Sequence, residues 1–314
     1  MAKWKNRLVV SLIIMSSCKT ASTNLQVEKI LLLEDFPSGS SLEYYDNKFY
    51  LSGDDASKLL ILDTGYNLID SVALFESEVK RIAKAVKADL EASAIVTVNG
   101  TPHLVLIGSA SLLTREKMLL LPVHDTAAMQ LLSTSNYFNR LSKAGLEDVN
   151  IEGAASTGKF MILGNRGNLK HPYNHLVFTQ PDFWLHQETA AVDTAILVLP
   201  PHKPFAGISG MAYIEEEDLL LFTASTELTG SSFDDGEIGD SYIGWIKNIS
   251  DKTGTKKVVA DGFINLSDHH TSFSGEKIES VCVSHSEMNR HTIHLVSDND
   301  NGVSKLFKVS VTIN

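Results

Sequence analysis

The sequence repeats one pattern five times, and this repeat constrains the fold more than any other feature. In each copy an apolar residue and a Glu or Ser introduce a short apolar run, a polar turn follows, and a second apolar run ends in polar residues. The copies are SLEYYDNKFYLSGDD (41–55), DLEASAIVTVNGTPHLVLIGSA (89–110), NIEGAASTGKFMILGNRG (150–167), GISGMAYIEEEDLLLFTASTE (207–227) and KIESVCVSHSEMNRHTIHLVSDND (277–300). Short apolar runs separated by turn residues predict paired β-strands.

Further apolar runs extend each pair to four strands. The first four copies are each followed by two such runs, whereas the fifth is followed only by 305–311, and the run 25–34 precedes the first copy. A ring of four-stranded sheets that is closed by pairing its first strand with its last sheet leaves no long open edge. The sequence therefore predicts an all-β fold, a single β-propeller over 25–314 with five four-stranded blades closed by the N-terminal strand.

The spacing of the repeats leaves a second blade count open. The Glu or Ser positions are Glu43, Glu91, Glu152, Ser209 and Glu279, which are 48, 61, 57 and 70 residues apart. Common blade repeats take roughly 40 to 50 residues, so the excess must lie in insertions. Residues 76–88 and 133–146 have helical periodicity, and 225–241 is rich in glycine and acidic residues. The interval of 70 residues is long enough to allow a six-bladed alternative.

The repeat also predicts one polar site. The start of the first strand and the end of the second lie at the same end of an antiparallel pair, so the polar positions of all repeats converge on one face. The candidate catalytic residues are Glu152, Glu43, Glu91, Glu279 and Arg166. The candidate metal ligands are Asp54, Asp55, Asp298 and Asp300.

Carboxylates that converge in a channel repel one another, and each unpaired buried charge costs several kcal/mol. Three interpretations follow. Backbone N–H groups of neighbouring blades could neutralise the glutamates, a hard cation such as Ca²⁺ could bind them, or one of them could be a general base or acid with Arg166 polarising the substrate.

The N-terminus has the pattern of an export signal. Lys3, Lys5 and Arg7 precede an apolar stretch, 8–15, that is too short to span a bilayer. The following Met15-Ser16-Ser17-Cys18 resembles the lipobox of bacterial lipoproteins, in which the cysteine is lipidated. We therefore predict a lipoprotein signal peptide (1–17), lipidation at Cys18, a polar tether (18–24) and a location at the membrane of the cell envelope, on the periplasmic side or the outer-membrane face.

Charge restricts the partners. Cleavage after residue 17 would remove three of the 27 basic residues and none of the 38 acidic ones, which changes the net charge from −11 to −14. Nucleic acids and anionic surfaces are poor partners for so acidic a protein, and we expect a monomer that contacts the membrane only through Cys18.

The five repeated segments resemble the phytase-like, or "esterase-like activity of phytase", propellers of exported bacterial proteins. Their repeats read approximately Gly-Leu-Ser/Glu-Gly-Leu-Ala before a strand that ends in Ser-Asp-Asp, and SSLEYYDNKFYLSGDD, DLEASAIV, NIEGAAS, GISGMAY and KIESVCV carry this pattern. The resemblance implies a propeller in the cell envelope and a phytase-, esterase- or lactonase-like hydrolase that could depend on Ca²⁺. A non-catalytic propeller that binds a ligand or protein of the envelope is the alternative.

Overall fold

Five antiparallel sheets form the body of the molecule in a computed structural model that describes residues 23–231 and 236–314. Blade 1 contains β2 (Gly39–Tyr45), β3 (Lys48–Gly53), β4 (Lys58–Asp63) and β5 (Leu68–Ala73). Blade 2 contains β6 (Leu90–Val98), β7 (Thr101–Gly108), β8 (Lys117–Pro122) and β9 (Gln130–Ser133). Blade 3 contains β10 (Ile151–Ser156), β11 (Met161–Asn165), β12 (Asn174–Thr179) and β13 (Asp193–Val198). Blade 4 contains β14 (Ala206–Ile214), β15 (Leu219–Glu227), β16 (Ile238–Lys247) and β18 (Gly262–Asn265).

The N-terminal strand closes the ring, as predicted. Blade 5 contains β19 (Ile278–Glu287), β20 (Arg290–Asp298) and β21 (Ser304–Thr312), and its outer strand is β1 (Asn24–Leu33). β1 runs antiparallel to β21, with Leu25 opposite Val311 and Leu33 opposite Ser304. The five-bladed propeller is therefore confirmed, and Leu25, Phe307 and Val309 share one buried cluster that holds the closure together.

The long interval in blade 4 does not contain a sixth blade. The last apolar run of this interval, 257–266, forms two strands: β18 completes blade 4, whereas β17 (Lys257–Val259) pairs in parallel with β13 and widens blade 3 to five strands. The insertion after β9 forms the predicted helix, α1 (Ser135–Lys143), which buries Tyr137, Phe138 and Leu141 between blades 2 and 3. The other insertion, 76–88, contains no helix and lies as a loop that bridges to Ala56 through Arg81.

The first strand of each blade, which we call the inner strand, has one irregularity near its start. The ladder to the second strand shifts register at Ser40, Glu91, Glu152, Ser209 and Glu279, one residue in each blade. A β-bulge of this kind re-aims a side chain, so the same position of every blade presents its side chain at one end of the central channel. We call this end the cavity face.

Small residues let the inner strands approach one another below the bulges. A Cβ on Gly210 would lie 2.6 Å from the Cα of Ser280 in blade 5 and 2.9 Å from the carbonyl oxygen of Glu279. A Cβ on Gly153 would lie 2.9 Å from the side chain of Met211. Backbones packed this closely narrow the channel directly below the cavity face.

Among residues 23–231 and 236–314, no helix is long and apolar enough to cross a membrane. The predicted signal peptide and Cys18 lie outside the residues that the structure describes.

The close contact at Gly210 gives a test of the packing. Gly210→Ala forces a methyl group against the backbone of blade 5, and we expect the free energy of unfolding to fall by about 1 to 3 kcal/mol in denaturant titrations. Gly230→Ala is the control, because its nearest neighbour would be 3.9 Å away. Equal stability of the two variants would contradict the packing described for the inner strands.

Candidate functional site

A polar cavity of about 130 Å³ occupies the cavity face at the end of the central channel. Side chains from all five blades line it, and six are basic and nine are acidic. The basic ones are Arg81, Lys84, Lys87, Arg115, Arg166 and Lys277. The acidic ones are Asp54, Asp55, Asp89, Glu91, Glu152, Glu227, Glu279, Asp298 and Asp300. The structure thus brings together every predicted site residue near the channel except Glu43.

Glu43 does not lie at the repeated position of blade 1. Ser40 occupies the bulge there, and Glu43 lies three residues further along β2, about 10 Å away at the usual rise of a strand. It lines a separate depression of about 170 Å³ that is formed by the inner strands of all five blades at the other end of the channel. Its carboxylate accepts a hydrogen bond from Ser93 Oγ at 2.9 Å, and burial raises the pKa of Glu43 to about 8.

The two serines at the repeated position join neighbouring blades. Ser40 donates its hydroxyl hydrogen to the carbonyl oxygen of Leu90 at 2.6 Å, and Ser209 donates to the carbonyl oxygen of Ile278 at the same distance. Each acceptor directly precedes a repeated glutamate of the next blade. The repeated position is therefore a link between blades in blades 1 and 4, and an acidic cavity residue in blades 2, 3 and 5.

Lys277 neutralises the glutamates of blade 5 and blade 4. Its ammonium lies 2.9 Å from Glu279 Oε1 and 3.4 Å from Glu227 Oε2. Arg166 approaches the same oxygen of Glu227 to 3.3 Å. The other oxygen of Glu279, Oε2, is buried and has no hydrogen-bond partner among the described residues.

A second ion-pair cluster lies between blades 1 and 2. Lys87 contacts the carboxylates of both Asp54 and Asp89, the latter at 2.7 Å, and Arg115 Nη1 lies 2.6 Å from Asp89 Oδ2. Burial, opposed by Lys87, raises the pKa of Asp54 to about 6. Nearby, Arg81 Nε donates to Asp55 Oδ2 at 2.7 Å.

Arg166 provides a buried positive charge near Glu152. Its guanidinium is buried and donates to the Ser225 hydroxyl at 3.2 Å and to the carbonyl oxygen of Ile208 at 3.4 Å. Glu152 Oε1 accepts a hydrogen bond from Asn150 Nδ2 at 2.7 Å. Burial raises the pKa of Glu152 to about 7, and the charge of Arg166 opposes this rise.

Burial also raises the pKa values of two further cavity acids, Glu91 and Asp298. Burial and the neighbouring carboxylate of Glu152 raise the pKa of Glu91 well above its usual value. Burial and Asp300 raise the pKa of Asp298 to about 7, although its carboxylate accepts the backbone N–H of Asp300 at 3.0 Å. Both Glu91 and Glu152 are therefore protonated more readily than a carboxyl group exposed to water.

Three carboxylates of the cavity could hold a metal ion. Asp54, Asp89 and Glu91 each offer an oxygen, and these oxygens lie within 4.8 Å of one another. The ammonium of Lys87 already contacts two of the three residues. A metal ion at this point would have to displace that ammonium, because both cations need the same oxygens.

Comparison with known families decides the relationship. A family of unknown function, DUF6929, matches residues 35–311, which is most of the chain. The chain belongs to this family. No curated protein has a matching sequence.

Several solved structures are similar to this DUF6929 protein at low sequence identity. The glutaminyl cyclase of Myxococcus xanthus has a TM-score of 0.53 at 11% identity, over 93% of this chain and 98% of the cyclase. A luciferin-regenerating enzyme has a TM-score of 0.45 at 10% identity, over 91% and 96%. The virginiamycin B lyase of Staphylococcus aureus has a TM-score of 0.39 at 11% identity, over 93% and 100%. The first of these supports the propeller fold, and the resemblance to phytase-like propellers stays a prediction.

Sequence reasoning missed Lys87, Asp89 and Lys277, yet the repeat carried a signal for two of them. Asp89, Asn150 and Lys277 each lie two residues before a repeated glutamate. Side chains at this spacing share one face of an extended chain, so a polar residue here points toward the same cavity as the glutamate. Lys87 lies in an irregular loop, and no periodic pattern marks it.

Proposed function

We propose that the cavity is the active site of a hydrolase that cleaves a carboxyl ester or lactone by general acid–base catalysis. The observation that carries this proposal is the unequal environment of two neighbouring carboxyl groups. Glu152 has Asn150 and Arg166 to stabilise its charge, whereas Glu91 makes no ion pair among the described residues and burial raises its pKa well above the usual value. Pairs of carboxyl groups whose pKa values are separated in this way supply an acid and a base at one pH.

The proposed chemistry uses these two groups in opposite roles. Ionised Glu152 takes a proton from a water molecule as the water oxygen forms a bond to the substrate carbonyl carbon. Glu91 gives its proton to the alkoxide oxygen as the bond between that oxygen and the carbonyl carbon breaks. The products are a carboxylic acid and an alcohol, and proton exchange with solvent returns both glutamates to their starting states.

The charge of the cavity favours a neutral or cationic substrate over a phosphate ester. Five of the basic lining residues form ion pairs with lining carboxylates, namely Arg81, Lys87, Arg115, Arg166 and Lys277. A polyanionic phosphate would have to break such pairs while it faced the remaining acids. We therefore propose esterase or lactonase activity rather than phytase activity.

Glu152→Gln tests the base. We expect kcat/KM for p-nitrophenyl acetate or γ-butyrolactone to fall by about 10² or more, since a positioned base contributes 10²- to 10⁴-fold. In the native enzyme kcat/KM should decline as the pH falls below about 7, because protonation of Glu152 removes the base. Steady-state rates from pH 5 to 9 measure both effects.

Glu43→Gln is the matched control, because it removes a buried carboxyl group at the other end of the same channel. This variant should keep the native rate, and p-nitrophenyl phosphate should not be hydrolysed by any of the three proteins. Equal turnover by Glu152→Gln and native protein would exclude Glu152 as the base. Absence of ester and lactone hydrolysis by the native protein would favour the ligand-binding alternative.

We propose that Lys87 replaces the Ca²⁺ predicted from the sequence. Ca²⁺ takes six to eight oxygens, and the ammonium of Lys87 holds two of the three carboxylates that could provide them. The native unfolding midpoint should therefore be the same in EDTA and in excess calcium chloride. In Lys87→Met the freed carboxylates should bind Ca²⁺, and about 2.7 kcal/mol of stability is expected at 100 times the dissociation constant. A lower native midpoint in EDTA would show instead that the native protein contains a metal ion.

We further propose that lipid on Cys18 anchors the protein in the cell envelope with its cavity turned away from the membrane. β1 begins at Asn24 opposite Thr312, the end of blade 5 that is distant from Ile278 and Asp298 at the cavity. Cys18→Ala should move the protein from the membrane to the soluble fraction, as measured by fractionation and immunoblotting. Unchanged membrane association of this variant would show that the lipobox prediction is wrong.

A further inference from the structure

Exposed apolar side chains lie in loops that border the polar cavity on the cavity face. Six of them are between 46% and 79% exposed, namely Val79, Val86, Leu113, Leu169, Tyr173 and Leu228. Each is in a loop that also supplies a lining residue; Val86 precedes Lys87, Leu169 follows Asn168 and Leu228 follows Glu227. We call these six residues the apolar rim. Exposed apolar groups beside a charged cavity are consistent with a ligand that has both charged and apolar parts.

On one side the rim continues into a second depression. This depression has a volume of about 250 Å³; its apolar lining side chains are Leu146 and Tyr173, and its other lining side chains, among them Glu147 and His175, are polar. It shares Arg166 and Gly167 with the cavity, so the two spaces meet at the backbone of Gly167. A Cβ on Gly167 would lie 2.7 Å from the carbonyl oxygen of His171 and 2.8 Å from Phe205, so the wall between the two spaces is closely packed.

The charge of the cavity defines the head of such a ligand. Nine acidic and six basic side chains line the cavity, so acids remain after the ion pairs are formed. One of them, Glu279, is 5% exposed, and its Oε2 has no hydrogen-bond donor among the described residues. A cationic group that donates a hydrogen bond complements this oxygen of Glu279, whereas an anion would be repelled.

We propose that the site binds a cationic amphiphile, with an ammonium head in the cavity and an apolar chain that passes Leu169 and enters the depression beside Tyr173. This inference names a substrate class for the proposed hydrolase and rests on the same cavity. The scissile ester or lactone group then lies between head and chain, next to Glu91 and Glu152. The ammonium pairs with carboxylate oxygens that have no other donor in the described part of the chain, such as Glu279 Oε2.

Calorimetric titration with n-alkylammonium chlorides from methyl to octyl tests the inference without any turnover. We expect the dissociation constant to fall by up to about fourfold per added methylene, since each buried methylene contributes about 0.8 kcal/mol. Glu279→Gln, which removes the charge of the buried carboxylate with the free oxygen, should weaken binding of every member of the series by about tenfold. Sodium octanoate, which has the same chain with an anionic head, should not bind.

Two rim variants separate the proposed path of the chain from general surface hydrophobicity. Tyr173→Ser should remove most of the chain-length dependence and leave methylammonium binding unchanged. Leu113→Ser, which changes a rim residue that is even more exposed (79% against 57%) and lies away from the depression, should behave like the native protein. The inference is overturned if octylammonium binds no better than methylammonium, if octanoate binds as well as octylammonium, or if the two rim variants have equal effects.

The outcomes distinguish this inference from the proposed hydrolase. Chain-dependent binding of alkylammonium ions in a protein that hydrolyses no ester would support the inference and exclude the enzyme. Hydrolysis of short esters together with chain-independent binding would support the enzyme and exclude the inference.

Discussion

The antiparallel pairing of β1 with β21 is the interaction on which the rest of the structure depends. It joins the first described strand to the last one, so that the edge of β21 is paired. Without it, blade 5 would expose the edge of β21, and the buried cluster between blades 5 and 1 would lose Leu31 and Leu33 of β1, which pack against it. Because the ring is closed, the bulges of all five inner strands point to one place, and the cavity is a consequence of that geometry.

The charged cavity is stable because its ions are paired in a connected set. Taking charges out of water costs several kcal/mol per ion, and only good geometry with further hydrogen bonds compensates for this. Lys87 bridges two acids, Lys277 bridges two others, and Arg166 is held by backbone oxygens and Ser225. The pairing is nevertheless incomplete, which leaves Glu91, Glu152 and Asp298 with raised pKa values. A wholly structural network would have no reason to retain these protonatable groups beside solvent, and this imbalance is what makes the cavity a candidate for catalysis and for cation binding.

Local pattern predicted those parts of the fold in which neighbours along the chain decide the conformation. Short apolar runs separated by turn residues predicted the hairpins, and the amphipathic spacing of Tyr137, Phe138 and Leu141 predicted α1. The same spacing in residues 76–88 was misleading, since Val79 and Val86 are exposed and have no apolar surface to cover. The repeat pattern placed the repeated position of blade 1 three residues too far along the chain, at Glu43 instead of Ser40. The reason is that Glu43 in SLEYY resembles the repeated glutamate more closely than Ser40 does. A bulge cannot be located from one strand, because it is defined by the pairing with the next strand.

The sequence by itself determined that the chain is a propeller and that its polar positions meet, since both follow from a repeated two-strand unit. It also specified Glu91, Glu152, Glu279, Arg166 and the four aspartates as members of one site. Only the tertiary structure decided how these charges are neutralised. Lys87 belongs to an irregular loop of the connection between blades 1 and 2, and Lys277 reaches an acid of another blade. Which carboxyl groups are ionised depends on distances and burial across blades, and no pattern along a single strand encodes those quantities.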